Sequence, residues 1–161
     1  MVASVRAYMP EDVHEAAEIW NRIVREGTAF PQTDILPDEE AHRFFSGQTF
    51  TGIAEKNGSI LGLYILHPNN VGRCGHIANA SYAVRDDRRG HGIGEILVRH
   101  SLQKAKELGF RILQFNAVVR TNKSALYLYE KLGFTQLGII PGGFRMDGGR
   151  YEDIIPHYKV L

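Results

Sequence analysis

The chain has 161 residues, of which 43% are apolar and 23% charged, so it is long enough for one well-packed domain and too apolar for a disordered chain. Nineteen Lys and Arg residues against 18 Asp and Glu residues give a formal net charge of +1. That balance excludes the global basic field typical of nucleic-acid or membrane-surface binding, and a single cysteine excludes an intrachain disulfide.

The first half of the chain predicts strands and amphipathic helices in alternation. Apolar residues recur at helical spacing from Val13 to Val24, and Gly27 is the expected helix end. The dipeptide Asn57-Gly58 predicts a tight hairpin turn between two strands. The predicted elements are a strand at 3–8, helices at 10–27 and from residue 37 onward, and strands at 49–56, 59–66 and 76–85.

The second half continues the alternation after a glycine cluster. Its predicted elements are a helical stripe at 96–108, a strand at 112–119, a helix at 123–132, and closing strands at 134–140 and 151–160, separated by the Pro-Gly-Gly segment 141–143 and a turn at 147–149. The order β-α-α-β-β-β-α-β-α-β-β predicts an α/β class with a mixed sheet. We expect a single domain over residues 1–161.

The glycine cluster at residues 90–94 is the sharpest motif. Three alternate glycines lie between a predicted strand and a predicted helix, where they allow positive φ and close approach of a ligand. The helix start offers free N–H groups, and Arg88, Arg89 and His91 add donors, which together predict a pyrophosphate site. The spacing fits neither a Walker loop nor a dinucleotide fold. The alternative is a turn that only packs the helix on the sheet.

Two motifs carry a family resemblance. Arg89-Gly-His-Gly92-Ile-Gly94 resembles the acetyl-CoA pyrophosphate loop of the GCN5-related N-acetyltransferase (GNAT) family. Residues 122–134 are similar to that family's Asn-x-x-Ala-x-x-Leu-Tyr-x-x-x-Gly-Phe segment, and residues 5–12 look like its first strand and helix start. The resemblance covers nearly the whole chain. It implies the GNAT fold and acetyl-CoA as cosubstrate.

The same resemblance implies roles for particular residues. The fourth and fifth strands would separate, which leaves N–H groups on residues 82–84 free to bind pantetheine and polarise the acetyl carbonyl. Tyr129 would protonate the departing thiolate, and its alternative role is that of a core tyrosine. The predicted cofactor-binding residues are Tyr82, Ala83, Val84, Arg89, Gly90, His91, Gly92, Ile93, Gly94 and Asn122.

The acceptor side is predicted less directly. The acceptor amine must lose a proton before it attacks the thioester. Relatives resembling phosphinothricin acetyltransferase carry a carboxylate near position 79 that could accept this proton, but this chain has Asn79. The proton is therefore expected to go to a water chain or to Glu26, unless the substrate is already partly deprotonated. Asn79 and Asn116 fall on neighbouring strands, where their amides either grip an amino acid or tie down strand irregularities. Phe30 is predicted to line the acceptor pocket, with an ordinary position in the core as the alternative. The segments around both asparagines also look like fungal acetyltransferases of azetidine-2-carboxylate.

These features together predict direct transfer of an acetyl group from acetyl-CoA to the amine of a small molecule such as an amino acid or analogue. Two alternatives stay open: a protein N-terminal or lysine acetyltransferase, and a non-catalytic acyl-CoA sensor. Scattered histidines predict no metal site. The absence of an apolar leader in the given sequence predicts a cytoplasmic protein. The resemblance implies a homodimer through the closing strands.

Overall fold

A mixed sheet of eight strands with α-helices on both faces forms the body of the protein. The computed structural model describes residues 2–161. The strands are β1 (Ser4–Ala7), β2 (Phe50–Lys56), β3 (Ser59–Pro68), β4 (Ile77–Val84), β5 (Ile112–Val119), β6 (Thr135–Gln136), β7 (Ile140–Arg145) and β8 (Tyr151–Val160). The helices are α1 (Val13–Glu26), α2 (Asp38–Ser46), α3 (Ile93–Glu107) and α4 (Lys123–Lys131). The predicted α/β class is confirmed.

The strand order is β1-β2-β3-β4-β5-β8-β6, and β7 also pairs with β8. Neighbouring strands are antiparallel except β4 and β5, which are parallel. The parallel pair is short, because only Ile77–Asn79 of β4 pairs with Ile112–Gln114 of β5. Beyond those residues the two central strands part. Their separation opens a gap in the middle of the sheet, as the resemblance implied.

Each face of the sheet carries its own apolar core. Helices α1 and α2 pack on one face, where Trp20 is 1% exposed and its ring lies 4.4 Å from that of Phe30. Helices α3 and α4 pack on the other face, where Leu97 and Leu113 are fully buried. Helix α1 ends where predicted, at Gly27, whose φ of +64° suits a left-handed helix cap. The gap between β4 and β5 is therefore walled by helices on both sides.

The C-terminal region differs from its prediction. The predicted turn at 147–149 is confirmed. Residues 141–143 were expected to separate the closing strands, but they lie inside β7, and the predicted strand at 134–140 is divided between β6 and β7. A register shift between Ile140 and Phe144 absorbs these residues into the pairing with β8. A Cβ at Gly143 would come within 2.5 Å of Ile154, so glycine here permits close strand packing. The predicted interruption at 141–143 was wrong because proline and glycine occur at bulges within strands as well as between strands.

Candidate active site

Two cavities lie along the gap between β4 and β5 and meet at its centre. The larger, of about 600 Å³, follows the glycine loop and the start of α4. The smaller, of about 180 Å³, lies between the parted strands and the loop after α1. Five residues line both cavities: Ala29, Tyr82, Asn122, Ala125 and Tyr129. A molecule in each cavity would therefore meet the other beside Tyr129.

The glycine loop has the backbone shape that the sequence predicted. Gly90 and Gly92 have φ values of +77° and +81°, in the left-handed region that disfavours side chains. A Cβ at either position would point into open space, so the backbone shape, not crowding, calls for glycine. Helix α3 begins at Ile93, and the N–H groups of its first turn have no partner within the helix. Loop and helix start together fit a pyrophosphate group.

Two arginines bring positive charge to this cavity. Arg88 and Arg89 both line it. One terminal nitrogen of Arg89 lies 3.0 and 3.1 Å from the two carboxylate oxygens of Glu26, so Glu26 belongs to the larger cavity and does not line the smaller one. His91 donates from Nδ1 to the carbonyl oxygen of Arg89, at 3.0 Å, and its side chain is outside the cavity lining. Ligand contacts of Glu26 and His91 stay predictions.

The backbone of β4 offers two N–H groups to the gap, not three. Arg85 donates its N–H to Leu61 of β3 at 2.9 Å. Backbone groups along an antiparallel strand alternate in direction, so Ala83 also points its N–H at β3, whereas Tyr82 and Val84 point theirs at the gap. Ala83 is fully buried and lines neither cavity. Ala83 therefore does not offer the free N–H that was predicted.

Asn122 caps helix α4 and also faces both cavities. Its Oδ1 accepts a hydrogen bond from the backbone N–H of Ala125, at 3.3 Å, and one from the hydroxyl of Ser124, at 3.1 Å. The side-chain oxygen is thus engaged in holding the first turn of α4. The predicted contact of Asn122 with the cofactor arm stays a prediction, and it falls to the amide nitrogen.

Tyr129 stands on α4 where the two cavities join. Its ring packs between Phe115, Phe134 and His157, at centroid distances of 4.5, 5.4 and 5.6 Å. Burial raises the pKa of Tyr129, so the phenol stays protonated at neutral pH. Within residues 2–161 the phenol oxygen makes no hydrogen bond, which leaves it available to a ligand. This arrangement suits a proton donor.

His157 forms the rear of the Tyr129 packing and had no signal in the sequence. It is 1% exposed, and its Nδ1 donates to the carbonyl oxygen of Ile155 at 2.7 Å. Because a carbonyl can only accept, the neutral ring carries its proton on Nδ1, and Nε2 is a buried acceptor with no partner among the described residues. Burial lowers the pKa of His157. The ring is therefore held neutral behind the phenol.

Tyr82 contributes backbone to the gap and places its phenol elsewhere. The hydroxyl of Ser101 donates to the carbonyl oxygen of Val98 at 2.8 Å, so at 2.6 Å it accepts from the phenol of Tyr82. Burial raises the pKa of Tyr82 well above its ordinary value. Tyr82 is therefore locked on the α3 side of the sheet, and only its main chain faces a ligand.

Both predicted asparagines line the smaller cavity, and both are engaged within the protein. Asn79 donates from Nδ2 to the carbonyl oxygen of Gln114, at 2.9 Å, where the pairing of β4 and β5 stops. Asn116 donates to Oδ1 of Asn69 at 2.6 Å and accepts from Gln114 at 3.0 Å. These bonds support the interpretation that the amides tie down the parting strands. Binding of an acceptor by either amide stays a prediction.

Several lining residues of the smaller cavity were missed. Phe30 lies in the wall as predicted, beside Ala29 and Pro31, and Ser81 follows Asn79 on the same face of β4. Strand alternation could have identified Ser81, because residues two apart share a face. No Asp, Glu, His or Lys of residues 2–161 lines this cavity.

Residues 2–161 contain neither a metal-binding cluster nor a membrane-spanning helix. No group of three or more His, Cys, Asp or Glu side chains is placed to hold a metal ion. No helix in that range has both the length and the apolar character needed to span a membrane.

Comparison with known proteins assigns the family. The sequence model of the acetyltransferase (GNAT) family matches residues 12–134, which is most of the chain. The chain belongs to the GNAT family of acetyltransferases. It is an N-acetyltransferase by membership of that family and by its similarity to named N-acetyltransferases.

Two named acetyltransferases are similar in sequence to this GNAT chain. N-acetyltransferase aca1 of Schizosaccharomyces pombe is 40% identical over 90 residues, which are 56% of this chain and 43% of aca1. The chain thus matches less than half the length of aca1. The Bacillus subtilis protein YwnH, provisionally named a phosphinothricin acetyltransferase, is 30% identical over 146 residues, 88% of this chain and 89% of YwnH.

One solved structure with the same fold is a complex with acetyl-CoA. The GNAT phosphinothricin acetyltransferase of Sinorhizobium meliloti, in complex with acetyl-CoA, superposes with a TM-score of 0.91 over 100% of this chain and 89% of its own, at 22% identity. This likeness confirms the GNAT fold.

Proposed function

We propose that this GNAT chain transfers the acetyl group of acetyl-CoA directly to the amine of a small molecule, an amino acid or an analogue of one. The observation that carries the proposal is the meeting of two cavities at Tyr129: one has the features of a pyrophosphate site, and the other is small, uncharged and lined by amides. The names of the phosphinothricin acetyltransferases also support an amino-acid analogue as acceptor.

The larger cavity is the proposed site of acetyl-CoA, which supplies an acetyl group activated as a thioester. The glycine loop and the first turn of α3 donate backbone N–H groups to the pyrophosphate, and Arg88 and Arg89 add charge-assisted bonds. Arg89 exchanges part of its contact with Glu26 for phosphate oxygen. The free N–H groups of Tyr82 and Val84 hold the pantetheine arm and the acetyl oxygen in the gap.

Tyr129 is the proposed proton donor to the leaving sulfur. A thiol has a pKa of about 8.5 and a phenol one of about 10, and burial raises that of Tyr129 further, so the phenol is fully protonated when the thiolate departs. The amine nitrogen forms its bond to the acetyl carbon as the carbon–sulfur bond breaks, and the phenol proton goes to sulfur. The new amide nitrogen then loses its extra proton, which returns through water in the gap to the Tyr129 phenolate. No covalent enzyme intermediate is required.

The acceptor amine has to lose a proton without a carboxylate or imidazole in the smaller cavity. We therefore place the proton on water in the open part of the gap. This route favours amines that are already partly neutral: the α-amino group of a peptide or of an amino-acid amide has a pKa of about 7.7–8.0, against about 10.4 for a lysine side chain. The arrangement therefore supports an α-amine as acceptor over a protein lysine.

A panel of amines tests the proposal. Purified protein is mixed with acetyl-CoA and with amino acids, their analogues, simple alkylamines, and peptides with a free N-terminus or an internal lysine, and thiol release is followed together with product mass. We expect N-acetylated product with amino acids or their analogues. Acetylation confined to lysine or long peptides would replace the small-molecule proposal. Tight acetyl-CoA binding with no turnover on any amine would favour the sensor.

A further inference from the structure

A third cavity, of about 560 Å³, lies beyond the acceptor side of the gap. It is formed by the end of α1, the loop that follows it, and the turn between β7 and β8. Phe30 and Pro31 line both this cavity and the smaller one, so these two residues are a common wall. Phe30 is fixed by its packing against Trp20, whereas Pro31 is exposed. The third cavity is thus a neighbour of the place where the acceptor amine reacts.

Two guanidinium groups without an ionic partner line this third cavity. Arg25 comes from the last turn of α1 and Arg145 from the end of β7. Neither forms a salt bridge or a side-chain hydrogen bond within residues 2–161, whereas the arginines of the larger cavity, Arg88 and Arg89, both have carboxylate partners. The cavity therefore has donors to offer to an anion.

One carboxylate, that of Asp147, also lines the cavity. Its oxygens lie against the main chain of Gly27, since a Cβ placed there would be 2.6 Å from Oδ2. Asp147 makes no ion pair with Arg25 or Arg145. Two guanidinium groups against one carboxylate leave a net positive charge. This charge favours an anion in the cavity.

We infer that Arg25 and Arg145 bind a carboxylate at the far end of the acceptor, so that the acceptor is a short peptide or similarly elongated amino acid. This inference rests on the proposed function, because it requires the amine to lie beside Tyr129. A free α-amino acid carries amine and carboxylate on one carbon, which keeps both in the smaller cavity. Each added residue moves the carboxylate by up to about 3.5 Å, toward and past the Phe30–Pro31 wall.

The test compares alanine, alanyl-alanine and trialanine, each as the free acid and as the C-terminal amide. The measured quantity is the ratio of kcat/KM for the acid to that for the amide at each length, with acetyl-CoA saturating. Each kcat/KM is expressed per neutral amine, because a nearby carboxylate raises the pKa of the amine. We expect a ratio near one for alanine and a preference for the acid of about tenfold or more at two or three residues, because an amide cannot form the charge-assisted hydrogen bonds that a carboxylate forms with two guanidinium groups. The length at which the preference begins gives the reach of the two arginines.

The double variant Arg25→Gln, Arg145→Gln should lose the acid preference and keep its activity on the amides. Both side chains are exposed, so folding should be preserved, and this is checked by thermal unfolding. The matched control is Arg43→Gln, Arg111→Gln, which removes two exposed, unpaired arginines that line none of the cavities described above. The control should retain the preference. An acid preference that survives in the Arg25 and Arg145 variant would overturn the inference, and so would its absence in the wild type at every length.

Calorimetric binding of the same compounds to CoA-saturated protein separates the two claims. If no amine is acetylated but the acids of two or three residues bind more tightly than their amides through Arg25 and Arg145, the anion site stands and the proposed function fails. If amines are acetylated with no effect of the carboxylate, the proposed function stands and the anion site fails.

Discussion

The two cavities that meet at Tyr129 are built in different ways. The larger one is lined mainly by two segments that are contiguous in sequence, between Arg88 and Gly94 and between Thr121 and Tyr129, with further residues from α1, the loop after it and β4. The smaller one is lined mainly by the loop after α1 and two separate strands, together with the start of α4. In the proposed function, binding of the cosubstrate thus depends mostly on local sequence, whereas selection of the acceptor depends on side chains that only the tertiary structure assembles.

The strongest effect should come from a substitution in the glycine loop of the larger cavity, and it should be a loss of acetyl-CoA affinity. Gly92→Asp forces a side chain onto a φ of +81° and places a carboxylate where the pyrophosphate should lie, so acetyl-CoA affinity should fall by about 100-fold or more. Gly109→Asp is the control, because Gly109 follows the other end of α3 with a φ of +90° and open space around it. Equilibrium binding checks both. Wild-type affinity in the Gly92 variant would refute the pyrophosphate site.

The next effect is at the junction of the two cavities. Tyr129→Phe keeps the ring packing and removes only the proton donor, so kcat should fall by about 100-fold while acetyl-CoA affinity is unchanged. Tyr127→Phe, on the same helix and 70% exposed in the native protein, is the matched control and should leave kcat unaltered. Steady-state kinetics with the best amine measures both. Equal kcat in the two variants would remove Tyr129 from the chemistry.

A third prediction concerns the acceptor half, which has no titrating base. The value of kcat/KM for total amine should rise about tenfold per pH unit up to the pKa of the acceptor itself. For two acceptors with different pKa values, the bend in the profile should therefore move with the acceptor. A bend at one shared pH would instead report an ionising group of the enzyme and would contradict the water route.

The amides of the smaller cavity should affect stability more than cosubstrate binding. Asn79→Ala leaves the carbonyl of Gln114 without its side-chain donor, which should cost about 1 kcal/mol and lower the Tm by about 2–4 °C. Asn116→Ala should cost less, because Asn116 is exposed. Thermal unfolding and acetyl-CoA titration check both variants. A large loss of acetyl-CoA affinity in either variant would contradict the assignment of acetyl-CoA to the larger cavity and of the acceptor to the smaller one.

The smallest effect is a pH dependence of the free energy of unfolding, caused by His157, which packs against the ring of Tyr129. Burial lowers the pKa of His157, so below about pH 6.5 the unfolded chain binds a proton that the folded chain does not, and stability falls as pH decreases through that window. The loss is at most about 1.4 kcal/mol per pH unit. Urea unfolding at pH 7.5 and 5.5 should show a smaller drop in His157→Gln than in wild type. An equal drop would mean that His157 does not titrate on unfolding.

The fold and the backbone shape of the glycine loop could be predicted from the sequence, because both follow from short-range patterns. Helix stripes, the Asn57-Gly58 turn and the loop at 90–94 are short-range patterns, and each is decided by neighbouring residues. The same short-range reasoning was wrong at residues 141–143, since only the pairing partner Ile154 shows that Gly143 lies in a strand.

The acceptor side depended on long-range contacts that no local pattern contains. Glu26 was expected in the acceptor pocket, but it forms an ion pair with Arg89 and lines the larger cavity. The two residues are far apart in sequence, so no local pattern predicts this pair. Ala83 was wrongly predicted to have a free N–H. The direction of this N–H is fixed by the register of β4 with β3, which the sequence does not show. Arg25 and Arg145 lie on elements 120 residues apart and share a cavity only in the folded chain.

The most direct test of the account is an initial-rate matrix in which acetyl-CoA and the best amine are both varied. Two cavities that meet at Tyr129 require both substrates to be bound together, so the double-reciprocal lines should intersect. Parallel lines would show that the first product leaves before the amine binds, and would contradict direct transfer across the gap between β4 and β5.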